Sequence, residues 1–219
     1  LEAVDQSAPR GEILAQLQRL AQRHDRVWYL EYAEKNPNPL LEWLRYQWRT
    51  HAQRLAAQSF TDVELTLWQT HDAQLFVGGE SLYRSLDLAV GEDLVLKGYR
   101  LPSAGARWEH AVGLTLEWQV QRQPRSYYAC SIHVLDAAGH RVGQGDQWMQ
   151  NESLQPTVDW PAGATVSEPM ALELAPGLAP GVYRLVLSVY DRVTHEPLAA
   201  ATAEIGELIV GPSRAYWPL

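Results

Sequence analysis

The sequence predicts an α+β chain: a small α/β N-terminal segment followed by an antiparallel β-sandwich, immunoglobulin-like or jelly-roll. Two observations carry this. Residues 1–78 switch between helical and strand periodicity, whereas residues 79–212 alternate apolar and polar with no convincing helix. Short strands there are separated by Gly, Pro and Asp turns rather than by crossover helices, the pattern of an antiparallel sandwich. Residues 213–219 read as a tail.

In the first segment, Ser7 and Pro9 suit a helix start, and Ile13, Leu14, Leu17, Leu20 and Ala21 repeat at helical spacing. Val27-Trp28-Tyr29-Leu30 reads as a short buried strand. Asn36-Pro37-Asn38-Pro39 breaks the chain, with Asn38 as cap and Pro39 in the next first turn. Leu41, Leu44, Trp48, Ala52 and Leu55 form one stripe of a helix that ends near Gln58. Val63, Leu65 and Leu67 alternate with Glu64, Thr66 and Trp68, the period of a half-buried strand. Gly78-Gly79 is the natural joint between the two regions.

In the second region the strands are Leu94–Leu96, Leu114–Val120, Tyr128–Val134, Met170–Leu174, Tyr183–Val189 and Leu208–Val210. Asp136-Ala137-Ala138-Gly139 makes a hairpin turn into Val142. Tyr183, just after Pro180-Gly181, stands where a tyrosine corner is expected.

Composition limits the function. With 18 Lys+Arg against 26 Asp+Glu the net charge is −8, so the broad basic surface that nucleic acids require is missing. Hydrophobic residues are 46% of the chain, enough for a real core, yet no apolar run reaches the roughly 18 residues of a bilayer span. The chain begins at Leu1 and not Met, as a fragment of a longer protein would. Cys130 is the single cysteine, which excludes an intrachain disulfide; its parity makes it a buried thiol.

No phosphate loop, nucleophile elbow, H-E-x-x-H or C-x-x-C occurs, so no catalytic residue, metal site or cofactor is assigned. His133, Asp136, His140 and Asp146 are the nearest approach to a metal-like group, and a hydrolase would have to use them. They spread over a hairpin with no spacing that brings them together. Glu92-Asp93 reads as a pair of solvated turn carboxylates. Asn151-Glu152-Ser153 fits the N-glycosylation pattern.

The positive signal is aromatic. Trp numbers 9 and Tyr 10 against only 2 Phe, favouring side chains with an apolar face and a hydrogen-bonding edge. Gln144-Gly145-Asp146-Gln147-Trp148 and Pro156-Thr157-Val158-Asp159-Trp160 each place Trp near Asp. Such a pair suits sugar: the ring takes the C–H face and the polar group takes hydroxyls. Trp148, Asp146, Trp160 and Asp159 are therefore the candidate carbohydrate-binding residues. Either indole instead serves as a plug if it folds down onto the sandwich end.

Taken in order, Leu96-Lys97-Gly98-Tyr99-Arg100-Leu101, Leu114-Thr115-Leu116-Glu117-Trp118, Ile132-His133-Val134-Leu135-Asp136 with Gly139, Gln144-Gly145-Asp146, Pro156-Thr157 with Trp160, and Pro180-Gly181-Val182-Tyr183-Arg184-Leu185 through Tyr190-Asp191 resemble a known sandwich. It ends many bacterial membrane glycosyltransferases of the dolichyl-phosphate-mannose–protein mannosyltransferase-like type, within the C-type glycosyltransferase superfamily. Arg26-Val27-Trp28-Tyr29 and Trp43-Leu44 are similar to the soluble segment that precedes it. Thr194-His195-Glu196-Pro197 departs from the family pattern, where Gly and Arg are usual. The resemblance implies a non-catalytic domain on the extracytoplasmic face of the membrane. It would position a glycan or glycoprotein acceptor beside the parent's own transmembrane region, where a polyprenyl-phosphate sugar donor is used. The alternative is a carbohydrate-binding module of a secreted or surface protein.

Overall fold

The computed structural model describes residues 10–32, 39–70, 81–102, 111–151 and 153–211. The chain divides into two compact units, 1–79 and 80–219. The helix start at Ser7 and Pro9, the Asn36–Asn38 cap, the Gly78-Gly79 joint and the 213–219 tail lie outside the described residues.

The first unit contains α1 (Arg10–Arg23), β1 (Arg26–Tyr32), α2 (Pro39–His51), β2 (Gln53–Ser59) and β3 (Val63–Gln69). All its strand pairs are antiparallel, in the order β1-β3-β2, so the segment is not parallel α/β. The helical stripe expected to reach Gln58 stops at His51, and Leu55 belongs to β2. Ile13, Leu17 and Ala21 of α1 and Leu41, Leu44 and Trp48 of α2 bury against Trp68. Trp48 lies 5.9 Å from both Tyr29 and Trp68, ring centre to ring centre. The two strand faces are assigned by this packing. Thr66 and Trp68 are buried, while Val63, Leu65 and Leu67 are half-buried. β1 is not the fully buried strand its apolar run suggests, because Trp28 and Leu30 alternate outward and stay 57% and 51% exposed.

The chain is mostly antiparallel β with a small helical part, and so not mainly α+β as expected; the second unit carries most of the strands. Its strands are β4 (Ser81–Val90), β5 (Leu94–Pro102), β6 (Ala111–Val120), β7 (Tyr128–Leu135), β8 (Arg141–Trp148), β9 (Thr165–Leu174), β10 (Gly181–Asp191) and β11 (Pro197–Val210). They form one curled sheet in the order β11-β10-β7-β8-β9-β6-β5-β4. The curl has a cause at β8–β9, where only Gly143↔Leu174 and Gln144↔Glu173 pair. The sheet folds at that seam. Inward rows from both halves then share one core: Leu114, Leu116 and Trp118 of β6, Cys130, Ile132 and Val134 of β7, and Leu185, Leu187 and Val189 of β10.

Glycine makes the seam possible. A Cβ on Gly145 would lie 2.7 Å from the Ala171 carbonyl oxygen, and one on Gly143 would lie 2.8 Å from that of Glu173. Gly145→Val is therefore expected to destabilise the chain by about 2–3 kcal/mol through overpacking against backbone that cannot move aside. Chemical denaturation checks this, and a loss within error of zero would refute the close approach. The curl also brings β5 to β11: the Glu207 backbone N–H donates to Tyr99 Oη, and a Cβ on Gly206 (φ 151°) would collide with that oxygen.

Turn chemistry follows the residue types. Asp136 Oδ1 accepts from the Ala138 and His140 backbone N–H at 2.9 and 2.8 Å, and Gly139 takes φ 86°. Tyr183 Oη donates to the Ala179 carbonyl at 2.7 Å, forming the corner bond at the start of β10.

Candidate functional site

The face of β8, β7, β10 and β11 that points away from the core is built in cross-strand rows, because side chains on paired strands share a side at matched register. One row is Asp146–Ser131–Ser188–Thr202 and its neighbour is Gln144–His133–Val186–Glu204. On the other side lies Trp148–Ala129–Tyr190. Ala129 is small, so the aromatic groups on either side of β7 can lean across it. Arg192 continues the outward parity of Tyr190, and its guanidinium carbon sits 3.2 Å from the Trp148 ring centre.

Trp148 is 56% exposed, and Asp146 is exposed two residues before it on the same face. Asp146 accepts a hydrogen bond from Gln144 Nε2. Tyr190 feels the Asp146 charge across β7: burial first, then that carboxylate, hold its hydroxyl above the ordinary range. Ser188 Oγ and Thr202 Oγ1 pair at 3.2 Å. Ser131 Oγ, between Asp146 and Ser188 in that row, is buried and has no hydrogen-bond partner.

The other two sugar candidates are not at this face. Trp160 is 1% exposed and belongs to the core, with its Nε1–H donating to the Gln155 carbonyl at 2.9 Å. It acts as a plug within the core of the curled sheet and offers no ring face to a ligand. Asp159 is exposed in a short 3-10 turn, Thr157–Asp159, beside that plug. The difference between the two Trp-Asp segments is parity: Trp148 falls outward on a strand, while Trp160 follows a turn that carries it into the core.

The His133, Asp136, His140 and Asp146 group does not converge. Asp136 and His140 pair with each other at 3.2 Å at the hairpin tip. Asp146 stands level with Ser131, five residues before Asp136 and so about 17 Å away along the strand. No group of three or more His, Cys, Asp or Glu among the described residues could hold a metal ion.

Two carboxylates behave differently from what their sequence context suggests. Of Glu92-Asp93, only Glu92 faces water. Asp93 is buried, accepts from Tyr128 Oη at 2.5 Å and from Arg122 Nε at 2.8 Å, and so ties the β4–β5 turn to β7. Glu168 on β9 is absent from the candidates named above, yet it lies fully buried in the core. It accepts from Trp118 Nε1 at 2.7 Å and Gln147 Nε2 at 2.9 Å, with Cys130 Sγ at 3.7 Å and the Gln150 backbone N–H also donating. Burial outweighs these donors and pushes its carboxyl up to about 7. The same burial, and the Glu168 charge after it, push the Cys130 thiol up, so it is a poor nucleophile. The parity Val166–Glu168–Met170–Leu172 is the available signal, but a carboxylate at an inward position reads as the end of a strand.

No family model and no curated protein matches the chain. Among solved structures, it is similar to a beta-glucuronidase from glycoside hydrolase family 2 at 11% identity and TM-score 0.34, over 65% of this chain and 13% of that one. A calcium-binding mutant of Bacteroides uniformis beta-glucuronidase 2 aligns at 16% identity and TM-score 0.32, over 66% and 15%. Another Bacteroides uniformis beta-glucuronidase aligns at 14% and 0.33, over 82% and 26%. The chain thus spans only a minor part of each of these enzymes.

Proposed function

We propose that the chain is a non-catalytic, carbohydrate-binding part of a membrane-embedded glycosyltransferase, placed on the extracytoplasmic face, where it positions a glycan or glycoprotein acceptor. The observation that carries the binding reading is the outward Trp148 indole above Asp146 and Gln144 on one strand. An exposed indole edged by amide and carboxylate groups supplies a stacking surface and hydroxyl partners together. The glycosyltransferase assignment rests on the ordered motifs from Leu96 to Asp191. In this reading the curled sheet is a two-layered sandwich with its ligand face on the β8-β7-β10-β11 half. No helix among the described residues is long and apolar enough to cross a membrane, so the spans would belong to another part of the parent chain.

Tryptophan fluorescence of the chain, titrated with a panel of oligosaccharides, is expected to show a saturable change. Trp148→Ala should weaken that binding by about 30-fold or more, as for a central aromatic anchor. A flat response across the panel, or full binding by the variant, refutes the reading. The parent's identity is tested separately by the coding sequence upstream of Leu1, which should encode several hydrophobic spans. A secretion signal with no spans would favour a carbohydrate-binding module of a secreted or surface protein.

A further inference from the structure

Three groups on the outer face of β8, β7 and β10 are left over from the needs of folding. Arg192 has no acidic partner among the described residues, and its recorded side-chain contact is the Trp148 ring. Arg100 pairs with Glu117, Arg122 with Glu92 and Asp93, and Arg184 with Glu204, whereas Arg192, like Arg84, Arg125 and Arg141, pairs with no carboxylate among the described residues; Arg192 is the one of these four that lies over an exposed indole. Ser131 Oγ is buried with its hydrogen-bonding capacity unspent. A buried hydroxyl without a partner is unfavourable, and it is relieved when a ligand group supplies the bond. The third group is the Trp148 indole itself.

We propose that this face is a subsite for an acidic sugar residue, a uronic acid unit of a polysaccharide or glycan. The pyranose C–H face lies on Trp148, the carboxylate pairs with Arg192, and the hydroxyls meet Asp146, Gln144 and Ser131. The inference rests on the carbohydrate-binding reading above and narrows it to a ligand class.

The choice of an acidic over a neutral sugar follows from where Arg192 sits. Its guanidinium covers part of the Trp148 ring, held by cation–π attraction. A neutral sugar has to displace that cation and gives it nothing in return. A carboxylate offers a charge-assisted, fork-shaped partner, so the guanidinium exchanges the ring for the ligand and the sugar takes the exposed indole. Asp146 does not oppose this. It stands two residues from Trp148, about 7 Å along β8, and a ring lying between them can turn its carboxylate to Arg192 and its hydroxyl donors to Asp146. Ser131 lies on the Asp146 row between Asp146 and Ser188, and a hydroxyl entering beside Asp146 reaches its covered Oγ by displacing the side chains over it.

The test is calorimetric titration of the full chain at low salt. Oligogalacturonate and hyaluronan fragments are compared with cello- and chito-oligosaccharides. The expected result is at least a tenfold preference, roughly, for the acidic oligomers, falling with added salt. Arg192→Gln should remove that preference, Arg192→Lys should keep part of it, and neither should change the thermal midpoint. Ser131→Ala should lower affinity for the preferred oligomer; unchanged affinity removes Ser131 from the subsite. Equal binding of acidic and neutral oligomers, with tighter neutral binding by Arg192→Gln, overturns the acidic assignment and leaves the carbohydrate reading intact. Binding of neither class overturns both.

Discussion

Glu168→Gln is expected to erase a pH dependence of stability that the wild-type chain shows between about pH 4.5 and 7. The carboxyl is fully buried and is pushed from an ordinary 4.5 to about 7, chiefly by loss of water. The folded state therefore holds this proton more tightly than the unfolded chain does. Its contribution is complete below pH 4.5 and is lost as pH rises through 7, by up to about 3 kcal/mol in all. The glutamine amide has a similar shape but a single acceptor oxygen, so its NH2 must face one of the donors that Trp118 and Gln147 aim at the two carboxyl oxygens. The variant should therefore be less stable than wild type near pH 4 by a constant amount, and the gap should narrow by up to about 3 kcal/mol as pH rises to 8. Urea unfolding at several pH values measures the difference directly, because every other titrating group is common to both proteins. Parallel curves would mean that Trp118, Gln147 and Gln150 solvate the carboxylate as well as water does.

That residue also marks where sequence reading stops. Alternation located β6, β7, β9 and β10, because their inward rows are apolar: Leu114, Leu116 and Trp118 on one, Leu185, Leu187 and Val189 on another. Backbone chemistry at Asp136–Gly139 and at Tyr183 was equally legible, since each depends on bonds made by one local side chain. β4 escaped notice because its first half, Ser81–Ser85, is exposed on both faces of an edge strand. The early part of β11 is a run of alanines, which carries no period at all. In the first unit, the 44–48–52–55 spacing continues smoothly from helix into strand, so nothing in it announces the break after His51.

The candidate site divides the same way. The Gln144–Trp148 segment stood out in the sequence by composition. Tyr190 and Arg192 could not be joined to Trp148 without the strand order β10-β7-β8, which is a long-range property of the fold. Asp93 failed for the opposite reason. A turn carboxylate reads as solvated until Tyr128 and Arg122 are brought to it from distant sequence.

Trp48→Ala is expected to unfold the helices and strands of the first unit while the eight-stranded unit stays folded. Trp48 is 2% exposed and joins α2 to both Tyr29 on β1 and Trp68 on β3. Truncating a buried Trp costs about 3–5 kcal/mol. A unit of this size holds only about 4–12 kcal/mol in total. Among the described residues its core has just seven buried hydrophobic side chains, so no neighbour can fill the space. The core of the second unit shares none of those residues. The measurement is limited proteolysis followed by mass determination. Rapid cleavage within 10–70, with 81–211 persisting as a resistant fragment, is the expected outcome. Simultaneous loss of both units would mean that their stabilities are coupled despite separate cores, while an intact 10–70 region would mean that α1 and the Tyr29–Trp68 pair hold the small sheet without the indole between them.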